Sequence, residues 1–590
     1  MPNPQEFYQE NLNVYQAKHA EIKKKLGVSS TLRLLVFLAI IAVFYFLWSY
    51  TQVMIAVAVV LAIVFGFLVK RHTNLQYKRD FLQQLLSLNE TEIQVLHRDF
   101  YDLPTGEKFK DDTHFYSMDV DLFGRGSFFQ YLNRTSLESG AKKLSELLKA
   151  NDIAHIDDKQ EAIRELSAKA KWRQEFKATA ALAKSEMSAE EITEWLKSYD
   201  YFVPRIMKVV PLVFSVLSIA VVVLAYLGLV PELVVVLWLF LGLGITGAYI
   251  KKTVALADKT EKAASTFQQY YKLILMLEEE HFETNLLKEE LTKIKNSDQE
   301  KASLTIKKFS RILDSLNQRN NMLVGIFING FFLNDLRQAY NFERWIEAHA
   351  ADVEAWFDVI HFFDAYISLG NFCFNHPGYA FAKVKQNGAI LDAKNLAHPL
   401  LDPAKAVTND FAIAEENFFI ITGANMAGKS TFLRTVSLSI VMSNMGLPIF
   451  GQDVKYNPIK LITSMRTSDS LTDDESYFFS ELKRLQTIVK AIDADRYFII
   501  LDEILKGTNS EDKAKGSKKF VEKLVASNST GIIATHDLSL CEISKELEPV
   551  SNYYFDAQIK GGELFFDYTF KPGICQNMNA SFLLEKMGIV

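Results

Sequence analysis

The stretch FFIITGANMAGKST, Phe418 to Thr431, decides how the C-terminal part of the chain folds. An apolar, β-forming run (FFIIT) leads into a loop of small residues, and GKST opens a helix expected over Ser430 to Met442. Gly423 and Gly428 frame a complete GxxxxGK[ST] string, whose glycines let backbone amides turn inward onto a phosphate chain. The helix that follows offers the positive end of its dipole to the same anion. Lys429 is spaced to reach the β and γ phosphates, and Ser430 to offer its hydroxyl to Mg²⁺. The residues expected to enclose ATP are Gly423, Ala424, Asn425, Met426, Ala427, Gly428, Lys429, Ser430 and Thr431. A strand before the string and a helix after it are the context that the motif requires.

Downstream, YFIILDE (Tyr497 to Glu503) reads as a buried strand ending in two carboxylates. Beside a phosphate loop, Asp502 is expected to hold Mg²⁺ through water and Glu503 to polarise the attacking water of an in-line hydrolysis. IIATHD places His536 just past another apolar strand, suited to sensing the γ phosphate. Short β-rich runs at Phe418 to Thr422, Ile459 to Met465, Tyr497 to Leu501 and Gly531 to Thr535 alternate with helices. A late pair follows around Tyr553 to Ile559 and Leu564 to Phe570. That alternation predicts an α/β layered domain with a largely parallel sheet.

The 590 residues, 49% of them hydrophobic, predict several domains. With 65 basic against 71 acidic residues, no global positive field marks a nucleic-acid partner. Cys373, Cys541 and Cys575 have no metal-ligand spacing and suit a reducing compartment.

Two uncharged runs, Leu34 to Tyr50 and Val53 to Val69, predict one membrane hairpin, and Val209 to Leu229 with Leu233 to Ile250, parted by Pro231 and Glu232, predict another. No polar stripe appears on any of the four, which favours lipid over a soluble core. Lys23, Lys24, Lys25 and Arg33 precede the first span and Lys70 and Arg71 follow the second. Arg205, Lys208, Lys251 and Lys252 flank the second pair in the same way. Positive flanks outside turns that carry no lysine or arginine predict a multi-pass membrane protein with both termini and the ATPase domain cytoplasmic. Some thirty polar residues ahead of the first run do not fit a cleaved leader.

The expected division is a cytoplasmic amphipathic segment (1–30), a first hairpin (31–72), a helical part (75–204), a second hairpin (205–252), a further helical part (253–380) and the α/β domain (381–590). Breaks are expected at Asp102 to Gly106 and Gly124 to Gly126, and a long helix over Ser136 to Lys149. Phe327, Phe331, Leu336, Trp345 and Trp356 form a stripe expected to be core.

TGANMAGKSTFLRT (Thr422 to Thr435), SDSLTDDESYFFSEL (Ser468 to Leu482), LDEILKGTNSEDKAKG (Leu501 to Gly516) and ATHD together resemble the MutS family ATPase, with Asn425-Met426 its most specific feature. The resemblance implies a homodimer in which the segment Ser476 to Glu481 crosses to the partner's nucleotide, with Ser476 acting in trans. Gly507, Thr508 and Asn509 match a loop coupling paired sites, although Leu505 and Lys506 depart from the family's Gly-Arg. AHPLL (Ala397 to Leu401), a closing segment Gly573 to Ile589, and the helical stretches with DLFGRGSFFQYLNRT (Asp121 to Thr135) extend the likeness to core and lever domains. No mismatch-recognition domain fits ahead of residue 90, and the second hairpin falls inside the lever region.

The leading expectation is therefore a membrane-anchored dimeric ATPase whose cycle moves a lever or clamp, with ATP and Mg²⁺ as its ligands, membrane lipid as a partner and DNA as a candidate cargo in a mismatch-repair-like role. The lysines Lys293, Lys295, Lys301, Lys307 and Lys308 are interleaved with Asp298 and Glu300, which reads as a solvated helix face. The alternative is an ATP-driven membrane machine or transporter-like ATPase that does not act on DNA. Against transport, the segment before the acidic strand reads DDESYFFSEL rather than LSGGQ, and the spans lack intramembrane charges. A module that has lost turnover is disfavoured by intact Lys429, Ser430, Asp502, Glu503 and His536.

Overall fold

The computed structural model describes residues 3–182, 187–294, 301–317, 322–424, 426–466, 477–506, 509–560 and 563–576. Asn425, Ser476, Gly507, Thr508, Lys295, Asp298, Glu300 and the closing segment from 577 onward lie outside them.

Two long helices open the chain, α1 (Pro4–Phe46) and α2 (Thr51–Leu96), antiparallel partners joined by a short turn. Asn3 starts α1 by accepting from the Gln5 amide at 3.0 Å, and Pro4 sits where its missing N–H costs nothing. No strong breaker follows, so the expected amphipathic segment and the first apolar run form one continuous rod. One end of the rod is core: Tyr8 is buried and donates to Asn375 Oδ1 at 2.7 Å. The other end presents Phe37, Phe44, Ile63 and Phe67 outward. By length and composition α1 and α2 can each cross a membrane.

The helical region continues through α3 (Phe128–Leu132), α4 (Glu138–Lys149), α5 (Ile156–Ala168), α6 (Ala170–Ala181) and α7 (Ala189–Lys197). An apolar pair follows, α8 (Val210–Tyr226) and α9 (Glu232–Gly247), then α10 (Ile250–Glu279), α11 (Asn285–Thr292), α12 (Ala302–Asn317), α13 (Met322–Phe332) and the 42-residue α14 (Asn334–Asn375). α14 is the spine, with α4, α5, α6 and α7 packed on it, and from Val359 to Asn375 every residue is buried. A helix buried all round needs partners on every face, which these supply. Phe267, Phe309, Trp345 and Phe357 lock α10, α12 and α14 together.

α8 and α9 are shorter than the spans expected there: by length and composition α9 counts as a further candidate crossing only together with α10, which it meets at a 70° bend, and α8 is a shorter apolar helix. The stripe reading holds for Leu336, Trp345 and Trp356 but not for Phe327, which is 59% exposed, while Phe331 is half-buried. The reason is local: Leu333 takes a left-handed backbone (φ 49°), ends α13, and turns it from the core onto α8 and α9.

The C-terminal part is α/β, as the alternation predicts. Its elements are β1 (Lys383–Val384), β2 (Ala389–Leu396), β3 (Asn409–Ala414), β4 (Phe418–Gly423), α15 (Lys429–Asn444), β5 (Gln452–Tyr456), β6 (Lys460–Ser464), α16 (Tyr477–Ala494), β7 (Tyr497–Asp502), α17 (Ser510–Ala526), β8 (Thr530–Ala534), α18 (Ile543–Glu546), β9 (Val550–Phe555), β10 (Ala557–Lys560), β11 (Glu563–Phe566) and β12 (Lys571–Pro572). Among the described residues the main sheet runs β12-β9-β4-β8-β7-β6, parallel except for β12. A second sheet, β1-β5-β2-β3, was not expected from the sequence, and β10 and β11 form a hairpin.

Register decides where the chemistry lies. Ile420 is level with Ile533 and Asp502 with Ala534, so the loops after β4, β7 and β8 leave the sheet at the same edge. That carboxyl edge is where open parallel sheets bind ligands. The helical region is tied to the neighbouring β6: Asp119 accepts from the Thr463 hydroxyl and from the amides of Met465 and Arg466, while Asp121 pairs with Arg434 at 3.0 Å and Arg466 at 2.8 Å.

Candidate functional site

Gly423 ends β4, and Ala424 and Met426 to Gly428 lie between it and α15. Gly428 has φ 105°, a conformation that a Cβ would strain, and such a Cβ would also lie 3.1 Å from the Tyr568 ring. Met426, also left-handed (φ 68°), is 78% exposed at the loop's tip. Ala427 is buried, and Ala424, Ser430 and Thr431 line the adjoining cavity with Gly428.

Lys429 is 6% exposed, and its Nζ donates to the carbonyls of Gly423 at 2.7 Å and Ala424 at 3.0 Å, with His536 Nε2 at 3.4 Å. Burial lowers its pKa from the ordinary lysine value. Ser430 Oγ donates to Asp502 Oδ2 at 2.9 Å. The Asp502 carboxyl is raised by burial, against which the Ser430 hydrogen bond works. Glu503 Oε1 lies 2.7 Å from His536 Nε2, and that contact pulls the Glu503 carboxyl down to about 2. The β sheet thus brings Lys429, Ser430, Asp502, Glu503 and His536, which the sequence spreads over more than a hundred residues, to one edge.

Three further residues shape this edge; the sequence reading named Leu505 and Lys506 only as departures from the family pattern and Glu481 only as the end of the segment expected to cross to the partner. Lys506 Nζ stands 3.6 Å from Glu503 Oε2. Glu481, on α16, accepts from the amides of Leu505 at 2.5 Å and Lys506 at 3.1 Å. Glu503 and Leu505 are both left-handed (φ 51° and 60°), a conformation worth about 1–3 kcal/mol of strain per residue, and the Glu481 carboxylate holds it in place. The i, i+3 spacing of Glu503 and Lys506 is the only local signal for that pair, and nothing local announces Glu481. His398 belongs to AHPLL, which entered only through the family resemblance.

The cavity beside these residues measures about 490 Å³. Its lining combines Lys429, Ser430, Asp502 and Glu503 with His398, Leu401, Val407, Phe432, Phe555 and Tyr568. A buried cation and a helix N-terminus in an aromatic-walled cavity suit a ligand that carries both phosphates and a flat ring. Among the described residues no cluster of three or more His, Cys, Asp or Glu could hold a metal alone. Ser430 and Asp502 supply two adjacent hard oxygens, a donor set that fits Mg²⁺ when phosphate and water provide the remaining ligands. Cys373, Cys541 and Cys575 are buried, and Cys575, whose amide donates to Thr422 Oγ1 at 3.0 Å, is near enough to act on Lys429.

Residues 419–584 match the MutS domain V family. The chain is 26% identical over 314 residues to a "DNA mismatch repair protein MutS" of Desulfatibacillum aliphaticivorans, covering 52% of this chain and 32% of that protein. It is 29% identical over 193 residues to the human "MutS protein homolog 4", covering 31% and 20%. A "DNA mismatch repair protein MutS" of Fusobacterium nucleatum is 31% identical over 189 residues, covering 30% and 21%. The chain therefore spans about a third or less of the length of these curated relatives. Residues 419–584 are thus similar to MutS domain V, and the relatives matched are MutS proteins at modest identity.

Proposed function

We propose that the protein is a membrane-anchored MutS-type ATPase that binds and hydrolyses ATP at composite dimer sites and uses the cycle to move its helical levers. The observation that carries this reading is that Lys429, Ser430, Asp502 and Glu503 line one aromatic-walled cavity while His536 contacts Lys429 and Glu503 beside it. Lys429 and the amides at the start of α15 bind the β and γ phosphates. Ser430 and Asp502 hold Mg²⁺, whose charge when bound offsets that of the phosphate oxygens. Glu503, an anion across the physiological range, orients and deprotonates the attacking water, and His536 keeps that carboxylate in position. His398, Leu401, Val407 and Tyr568 take the base, and Ser476 completes the site from the second copy of a homodimer.

Exposed apolar helices support the membrane part: α1, α2, α8 and α9 together form four spans, with both termini and the ATPase domain cytoplasmic. These spans stand at the ends of the levers, which favours a lipid-directed load over DNA. Lys293 pairs with Glu290 and Lys307 lies over the Tyr271 ring, so neither makes a free basic stripe. DNA, which the names of the relatives mention, is the second reading.

Purified protein in detergent, assayed for ATP turnover with and without duplex DNA across a salt series, tests both. Glu503→Gln should lower turnover by about 10²–10⁴-fold while ATP still binds. Turnover that survives this change would overturn the assignment of Glu503. Stimulation by DNA that weakens steeply with salt would favour the DNA reading.

A further inference from the structure

From its position, composition and packing, we infer that α13 is a lipid-embedded element, entering the bilayer beside α8 and α9 and leaving it on the same side. The inference rests on the membrane reading of α8 and α9 and adds a segment that no hydropathy span marks. Met322 to Phe332 reads MLVGIFINGFF, without a charge, and is too short to cross: at 1.5 Å per residue its 11 residues reach about 16 Å, against a hydrocarbon core of about 30 Å. Its neighbours fix both ends on one side. α12 packs along α10 and α14 leads into the helical core, so the chain arrives from the protein and returns to it.

α13 packs on α9 and α8 through its small residues. A Cβ on Gly242 would lie 2.1 Å from the Gly330 carbonyl oxygen, and one on Gly330 would lie 2.2 Å from Leu239 Cδ1. Such close helix contact through glycines is how helices associate when lipid rather than water surrounds them. Asn329 is also buried, and its Oδ1 accepts from the Asp335 amide at 2.9 Å. Phe327 (59% exposed) and Phe332 (41% exposed) stand outward, as do Leu237, Phe240 and Leu241 of α9. Phenylalanines of this exposure at a wholly apolar tip are satisfied by hydrocarbon.

The test places a nitroxide at Phe327→Cys, and separately at Phe240→Cys and Tyr101→Cys, in full-length protein reconstituted into phosphatidylcholine nanodiscs. Native Cys373, Cys541 and Cys575 are buried, and unlabelled background is measured on the parent chain. Collision with oxygen, which partitions into lipid, is compared with collision with a water-soluble nickel chelate. The expected result is a Phe327 ratio shifted to the Phe240 value and away from the Tyr101 value. A Phe240 label in lipid with a Phe327 label open to the nickel chelate would overturn the inference while leaving the membrane reading intact. Both labels open to the chelate would overturn both. A Phe327 label closed to both reagents would also overturn it, because protein rather than lipid would then cover α13.

Discussion

At the residue scale, the edge of the sheet is organised by pairs in which one partner sets the charge of the other. Glu503 is held near a pKa of about 2 chiefly by its hydrogen bond to His536. Removing the partner in His536→Ala lets the carboxyl return toward the ordinary ~4.3. A base works only when deprotonated, so the acid limb of the turnover profile moves up: between pH 4 and 6 the variant should lose rate more steeply than the wild type. A parallel fall of both profiles would show that His536 does not set this charge. Asp364, deep in α14, is the opposite case. Burial raises it to about 6, although the amides of Ser136 and Leu137 donate to it. A carboxyl raised in the folded state gives stability that is complete below the unfolded value of about 3.9 and lost as pH rises through about 6. Asp364→Asn is neutral throughout, so thermal melts in detergent from pH 4 to 7 should show the variant gaining on the wild type, by no more than about 3 kcal/mol at a shift near two units. A constant difference across that range would count against the assignment.

At the element scale, the reading of the sequence succeeded where an element is a continuous apolar run and failed where burial is irregular. β4, β7 and β8 are buried nearly throughout, and the runs FFIIT, YFIIL and GIIAT announce them. β2 alternates imperfectly, with register shifts against both neighbours, because its irregularities turn Lys394 and Asn395 outward, and it was not foreseen. α1 was divided in two by its composition, yet backbone continuity ignores a change from polar to apolar side chains when no proline or capping residue intervenes. The nucleotide-type loop was legible because glycine spacing encodes it locally. Glu481 was not, since its partners are amides outside its own helix, brought to it only by the packing of α16 on the sheet beside β6. Its role makes a prediction. Glu481→Ala frees the Leu505 and Lys506 amides, so the strained turn carrying Glu503 relaxes. A positioning role requires kcat to fall with little change in KM for ATP, and stability to drop by about 1–3 kcal/mol. Glu481→Gln, which keeps one acceptor, should restore part of kcat. A rise in KM alone would instead place Glu481 in ATP binding.

At the scale of the whole molecule, α2 links the two ends of the proposed machine. It runs unbroken from Thr51 in the apolar hairpin to Leu96, about 70 Å at 1.5 Å per residue, and the chain then turns through Arg98, which is left-handed at φ 66°. Arg98 Nη1 donates to the Pro399 carbonyl at 2.7 Å, and its guanidinium lies over the Tyr131 ring. Pro399 is the residue after His398, which lines the cavity. A nucleotide that moves the 397–401 loop therefore acts on the end of a rod whose other end carries the hairpin. The Glu503→Gln chain, which should hold ATP without turning it over, isolates that bound state. A probe at Phe67 in nanodiscs should change its lipid accessibility when ATP is added to this variant, because a rigid helix transmits displacement along its length. Adding Arg98→Ala removes the contact but none of the groups that line the cavity, so ATP should still bind while the response at Phe67 is lost. If the response persists, force passes through another of the contacts between the two regions, such as those of Asp119 and Asp121 with Thr463, Arg434 and Arg466. Asp121→Asn in the same background then separates the two routes, since it weakens both arginine pairs and leaves Arg98 in place.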